Sequence, residues 1–178
     1  QLGQRRLDPS RDREQTRQLA RRVLDAGLTH AVLTTLPERY QARVDEILLG
    51  ALMLACHRRF GVQPLRLALE SHGRIDTADG VDLGRTVGWL TAEYPVCIDA
   101  PAARAATPWA ILRAVKGALR AVPDRGVGYG VLRYLDAQSA DALAALEDNA
   151  PEILFNYLGR FEAGEGPWSP RRSERYFR

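Results

Sequence analysis

Leu65-Arg66-Leu67-Ala68-Leu69-Glu70-Ser71-His72-Gly73-Arg74 decides how the rest of the chain is read. Taken alternately, Leu65, Leu67 and Leu69 fall on one side and Arg66, Ala68 and Glu70 on the other. That is the period of a strand with one buried face. Pro64 marks its start, and the spacing predicts a strand over about 65–71 that ends in a Gly-containing turn. Glu70 then emerges opposite the leucines, where the strand stops. A rigid scaffold holds side chains at such strand ends, which suits them to chemistry. Read alone, such a string more often marks a structural ion pair, here between Glu70 and Arg74.

Upstream, Val44 to Arg59 carries Val44, Ile47, Leu48, Leu49, Leu52, Met53, Leu54 and Cys56. A helix apolar nearly all round is expected to be buried between layers. Residues 15–40 hold Leu19, Val23, Leu24, Leu28, Val32 and Leu36 in a broken pattern punctuated by Gly27 and Pro37. This predicts a strand or irregular stretch, then a short helix at 28–36. Residues 1 to about 16, polar and Arg-rich, read as an extended N-terminal segment.

Downstream, a mobile-looking loop through Asp76, Asp79, Gly80 and Asp82 leads to Thr86–Asp99, a predicted long strand with Val87, Trp89, Tyr94, Val96 and Ile98. The Tyr94-Pro95 step is expected to bend or bulge it. Thr107-Pro108 supplies an N-cap and a first-turn proline. The helix they start shows Ile111, Leu112, Val115 and Leu119 on one face and ends before Pro123. A Gly-rich loop precedes a short helix near 129–135, Ser139 caps another at 139–148, and Ile153–Leu158 reads as a buried strand. The tail, 163–178, is rich in Gly, Pro and Arg. Alternating helices and strands predict a layered α/β lobe.

Composition narrows the function classes. At 178 residues the chain fits one domain with a real core, and its apolar fraction of 46% is ordinary for a soluble protein. The net charge of +3 rests on terminal arginine pairs such as Arg5-Arg6 and Arg171-Arg172. Without a basic stripe and interleaved aromatics, nucleic acid is not an expected partner. Cys56, in the apolar helix, and Cys97, in an apolar strand, read as small hydrophobes, with no disulfide framework or metal site. No apolar run approaches the ~18 residues of a membrane span and no signal peptide opens the chain, so no membrane partner is expected and cytoplasmic localisation is. The start at Gln1, without Met, is consistent with excision from a longer protein.

Five strings in order carry a resemblance. They are Val44-Asp-Glu-Ile-Leu-Leu-Gly-Ala-Leu52, the Leu69–Arg74 string, Arg85-Thr-Val-Gly-Trp-Leu-Thr-Ala-Glu-Tyr-Pro95, Pro123-Asp-Arg-Gly-Val-Gly-Tyr-Gly130 and Phe155-Asn-Tyr-Leu-Gly159. Together, from about Leu7 to Gly159, they resemble the later motifs of the epimerization domain of nonribosomal peptide synthetases, within the condensation-domain superfamily. The resemblance implies a chloramphenicol-acetyltransferase-like lobe, a mixed sheet packed with helices. It implies that residues 1–178 are the C-terminal lobe of a two-lobed domain with the active site between lobes. The family's other lobe carries a His-His-x-x-x-Asp-Gly motif. This chain has only His30, His57 and His72, none adjacent, so the N-terminal lobe is read as absent.

The implied reaction, part of antibiotic and other secondary-metabolite biosynthesis, converts an L-aminoacyl or peptidyl thioester to the D form by α-proton abstraction and return. The substrate rides on the phosphopantetheine of a peptidyl carrier protein, and no cofactor is bound directly. Glu70 falls on the family's catalytic glutamate; Asn156 and Tyr157 fall on the motif whose tyrosine is implicated in the family's active site. Tyr157 would donate to the enolate oxygen or relay a proton, while Asn156 equally suits a role fixing the strand. Arg74 is expected to orient Glu70 or neighbouring backbone, and His72 to hold the turn by hydrogen bonds. Gly88 and Trp89 read as packing, with Gly88 leaving room for the pantetheine arm in a substrate channel. Arg85 and Arg125 are candidates for contact with the carrier. Gly126–Gly130 looks like a phosphate cradle but lacks a Walker Lys-Ser/Thr, and reads as a tight turn before a helix.

The chain departs from the family at Ser71, Ile75, Asp45 and Leu90, where glycine, a carboxylate, asparagine and an aromatic are usual. These changes bear on specificity and activity. Two other readings remain open: a catalytically silent module that recruits a tailoring enzyme, and a peptide-bond-forming condensation domain. The isolated lobe is expected to be inactive, since half of its acid/base pair lies on the other lobe.

Overall fold

The computed structural model describes residues 8–61, 64–74, 82–99, 107–145, 151 and 153–160. Strand β1 (Leu65–Ser71) is the middle of a three-stranded sheet of order β2-β1-β3. β2 (Ala92–Ile98) runs antiparallel to it, in register from Leu65↔Ile98 to Ser71↔Ala92. β3 (Leu154–Phe155) runs parallel, pairing Ala68 with Leu154 and Leu69 with Phe155. The predicted alternation holds: Leu65, Leu67 and Leu69 are buried with Val96 and Ile98, their partners in the core. This is a mixed α/β lobe.

One backbone bond fixes how β2 reads. The Ala68 N–H donates to the Ile153 carbonyl at 2.8 Å, toward β3. Ala68 and its partner Pro95 therefore form a pair without mutual backbone bonds. An N–H at position 95 would point away from β1, so proline costs the ladder nothing there. The expected bend at Tyr94-Pro95 is absent, and the register passes through it unbroken.

The strand predicted from Thr86 starts only at Ala92, opposite the last residue of β1. Beyond Ser71 there is no partner strand, because Gly73 turns in the left-handed region at φ 62°. It sits so close to Leu90 that a Cβ would lie 1.6 Å from the Leu90 carbonyl oxygen.

Two helices cover the leucine face. α3 (Val44–Phe60) contributes Leu49, Met53 and Cys56, and α4 (Pro108–Arg120) contributes Ile111 and Val115. Each such side chain taken fully from water stabilises the fold by about 1.5–3 kcal/mol. α3 is not buried on all sides as its composition predicts. Its buried residues, Glu46, Leu49, Gly50, Met53 and Cys56, form one stripe, while Ala51 and Ala55 are exposed and Leu52 and Leu54 half-buried. It packs on the sheet core, on α4 and on residues 31–40 upstream, and the rest of its surface is exposed or half-buried. The buried Glu46 carboxylate accepts the Arg43 N–H at 2.8 Å, capping the helix start. Gly61, at φ 66°, closes its end. α4 starts as predicted: Thr107 Oγ1 accepts the Ala110 N–H at 3.2 Å.

Upstream, the helix is longer than 28–36. It runs as α1 (Ala26–His30), a π turn (Ala31–Thr35) and α2 (Leu36–Tyr40). Asp25 caps it through the Leu28 N–H at 2.8 Å. Pro37 stands in the first turn of α2, just after the π turn, so it does not end the run. Lys116 donates to the carbonyls of Tyr40 and Gln41 at 3.0 and 2.7 Å, placing a cation on the negative end of α2.

After a tight turn (Pro123–Gly126) come α5 (Val127–Tyr134) and α6 (Ala137–Ala144). The cap of α6 is Asp136, which accepts the Ser139 N–H at 3.1 Å; Ser139 sits inside the first turn. Residues 146–148 of that predicted helix lie outside the described residues. So do Asp76, Asp79 and Gly80 of the predicted loop and the tail 163–178. β3 is shorter and less covered than predicted: Leu154 is 53% exposed and Leu158 65%. No helix among the described residues is long and apolar enough to cross a membrane.

Candidate active site

Strand parity builds the site. Glu70 lies on the face of β1 opposite Leu69 and is half-buried. Asn156 follows Phe155, whose partner is Leu69, so one step further along the parallel pair it draws level with Glu70. The Asn156 Nδ2–H donates to Glu70 Oε2. One carboxylate oxygen is thereby held from the β3 side. On the β2 side, Glu93 is the register partner of Glu70. This second carboxylate was not visible in the sequence, because pairing between distant strands sets it.

His72 sits in the turn after β1. Its Nδ1 lies 3.0 Å from the Arg74 backbone nitrogen. Its Nε2 lies 3.1 Å from Arg125 Nη1. A neutral imidazole has one acceptor nitrogen, so only one of these two N–H groups is answered at a time. Arg74 does not reach Glu70. Its Nη1 donates to the Leu83 carbonyl at 2.5 Å, so it orients backbone, the second of its two expected roles.

Arg125 reaches His72 from a strained turn. Asp124 and Arg125 both adopt left-handed backbone, at φ 45° and 52°. Such non-glycine residues cost about 1–3 kcal/mol each. Gly126 follows at φ 82°, with the Tyr94 ring where its Cβ would be, 2.0 Å away. The Gly126–Gly130 string thus forms a turn and the first residues of α5, the turn-before-helix alternative. Burial pushes the Tyr94 phenol above its ordinary range, and the Arg43 charge partly offsets it.

The other candidates lie apart. Tyr157 is half-buried and makes no hydrogen bond to Glu70 among the described residues. Trp89 is 89% exposed and Val87 99%, and no atom would lie within 4 Å of a Cβ on Gly88, so the packing role expected of Gly88 and Trp89 is not met among the described residues. Cys97, expected in an apolar setting, is exposed because its parity is that of Pro95 and Glu93. Cys56 is in the core, and burial raises its thiol pKa.

A cavity of about 460 Å³ lies between β2, the end of α4 and α5, lined by Val96, Ala118, Val122, Tyr129 and Leu132 among others. Glu70 and Asn156 do not line it, and its walls are mostly apolar. The candidate chemistry belongs to the Glu70 face, where carboxylates and an amide converge. Among the described residues no group of three or more His, Cys, Asp or Glu side chains could hold a metal ion.

An α/β lobe with these strings defines a class, and comparison gives its family. The condensation-domain family model matches residues 2–173. One of the linear gramicidin synthase proteins of Brevibacillus parabrevis is 42% identical over 166 residues, covering 92% of this chain and 2% of that protein. Vanchrobactin synthetase VabF of Vibrio anguillarum is 41% identical over 150 residues, covering 82% of this chain and 5% of its own length.

Among solved structures, the epimerization domain from the third module of tyrocidine synthetase B matches with a TM-score of 0.67 and 36% identity, over 78% of this chain and 31% of that one. The first condensation domain of the CDA synthetase matches with a TM-score of 0.51 at 14% identity, over 72% of this chain and 27% of that one, which speaks to the fold alone. The chain belongs to the condensation-domain family of nonribosomal peptide synthetases. It spans a few percent of the synthetases it matches and about a third of the solved epimerization domain.

Proposed function

We propose that this chain is the C-terminal lobe of an epimerization domain, an isomerase acting on an aminoacyl or peptidyl thioester held on a carrier protein's phosphopantetheine. The observation that carries the reading is the Glu70 carboxylate, gripped at Oε2 by Asn156 on the face of the sheet opposite the leucines. Similarity at 36% identity to a solved epimerization domain supports it. The thioester carbonyl makes the α-proton acidic by taking up the charge left behind. Glu70 then acts as acid/base on one face of Cα, using Oε1, the oxygen that Asn156 leaves open. A histidine of the partner N-terminal lobe serves the other face.

Tyr157 donates a hydrogen bond to the enolate oxygen once substrate and the second lobe are in place. His72 and Arg74 hold the turn that sets the end of β1, and Gly88 and Trp89 border the substrate channel. The carrier protein and the N-terminal lobe are the partners. The test is α-proton exchange in deuterated water, with aminoacyl thioesters on their carrier, comparing this lobe alone with the complete domain. Exchange by the complete domain only is expected. Exchange by the lobe alone would overturn the split acid/base pair, and none in either would overturn the epimerase reading.

A further inference from the structure

Glu93 stands directly across from Glu70. Because the Ala68 N–H is committed to Ile153, the alternate pairs that include Glu70 and Glu93 lack mutual backbone bonds. Their Cα atoms approach to about 4.5 Å, the closer of the two antiparallel spacings. Like charges so placed oppose the pairing of the strands.

Arg43, Arg74 and Arg125 are engaged elsewhere. Arg43 pairs with Asp45 at 2.8 Å, Arg74 serves the Leu83 carbonyl and Arg125 faces His72. Among the described residues no hydrogen bond or ion pair reaches the Glu93 side chain, which is exposed. Asn156 meets Glu70 from the opposite side. Glu93 therefore puts its charge on the face of the sheet that carries Glu70.

A substrate whose α-proton meets Glu70 carries its nitrogen one bond from the same carbon. In an aminoacyl thioester that nitrogen is an ammonium with three donors. In a peptidyl thioester it is a neutral amide with one. We propose that Glu93 is a specificity-determining residue that receives the free α-ammonium, so that this site favours aminoacyl over peptidyl thioesters. The inference rests on the epimerase reading and names its substrate class. Charge-assisted hydrogen bonds of this kind are about twice as strong as neutral ones. Glu93 therefore discriminates by charge at the substrate nitrogen, while Glu70 acts on the carbon beside it.

The experiment uses the complete domain and its carrier protein loaded with a panel of uncharged amino acids and with lysine, each with its α-amino group free or acetylated. Exchange of the α-proton is measured for wild type and Glu93→Gln. Wild type should exchange the free aminoacyl thioester about 10- to 100-fold faster in kcat/KM than its acetylated form. Glu93→Gln should shrink that ratio to about threefold or less by slowing the free form alone. Its thermal midpoint should hold or rise, since a repulsion is removed.

Equal handling of both substrates by wild type would overturn the proposal. So would equal slowing of both by Glu93→Gln, or a preference that persists with N-acetyl-lysyl thioester and so follows a basic side chain. Exchange of neither substrate by wild type would remove the epimerase reading itself, and the inference with it.

Discussion

The two faces of β1 share a backbone and have opposite fates. Leu65, Leu67 and Leu69 press against α3 and α4, and Leu67 is sealed from water. Arg66, Ala68 and Glu70 look onto a side where Glu93, Pro95, Cys97 and Leu154 are exposed. One parity holds the fold together and the other carries the proposed chemistry. A substitution on one face should therefore move stability, and on the other activity, with little crossover.

The sharpest break of that division is Glu70→Gln in the complete domain. General acid/base groups contribute about 10²–10⁴-fold, so α-proton exchange should fall by that factor while the urea midpoint stays put. A large loss of stability would instead make Glu70 structural. Leu67→Ala is the mirror experiment. It empties a fully buried site and should cost about 2–5 kcal/mol in urea unfolding, with exchange kept under conditions where the protein stays folded.

A smaller effect tests the scaffold. Thr107→Ala removes the cap of α4 and should cost about 1 kcal/mol, read as a lower thermal midpoint. The mildest test uses the two thiols. In the folded lobe a thiol reagent should label Cys97 quickly and Cys56 only after denaturant, because burial raises the Cys56 thiol pKa and shields it. Equal labelling would mean that the two faces are not separated as described.

Signals contained within one segment were legible in the sequence. The leucine alternation fixed β1 and the placement of Glu70, and Thr107, Pro108 and Pro123 bounded α4. The Phe155–Gly159 string pointed to Asn156, whose bond to Glu70 the structure supplies. What failed was set by partners far away in the chain. Val87 and Trp89 have strand character, but β1 is too short to pair with them. The apolar surround of α3 promised burial on all sides, and among the described residues only one stripe of it is buried. Asp136 and Ser139 are both capping residues three apart, and the sequence does not say which one leads. Glu93 gave no local signal at all, since its importance lies in register.

Pro95 also bears on solubility. Among the described residues β2 pairs only with β1, with α5 packed beside it, and on its outer side the backbone donors would be those of residues 93, 95 and 97. The middle one is missing. A stray strand from another molecule that tried to extend the sheet would find no continuous ladder, and Glu93 would set a charge beside the gap. Natural edge strands resist aggregation by such means, using proline and charge to spoil the template.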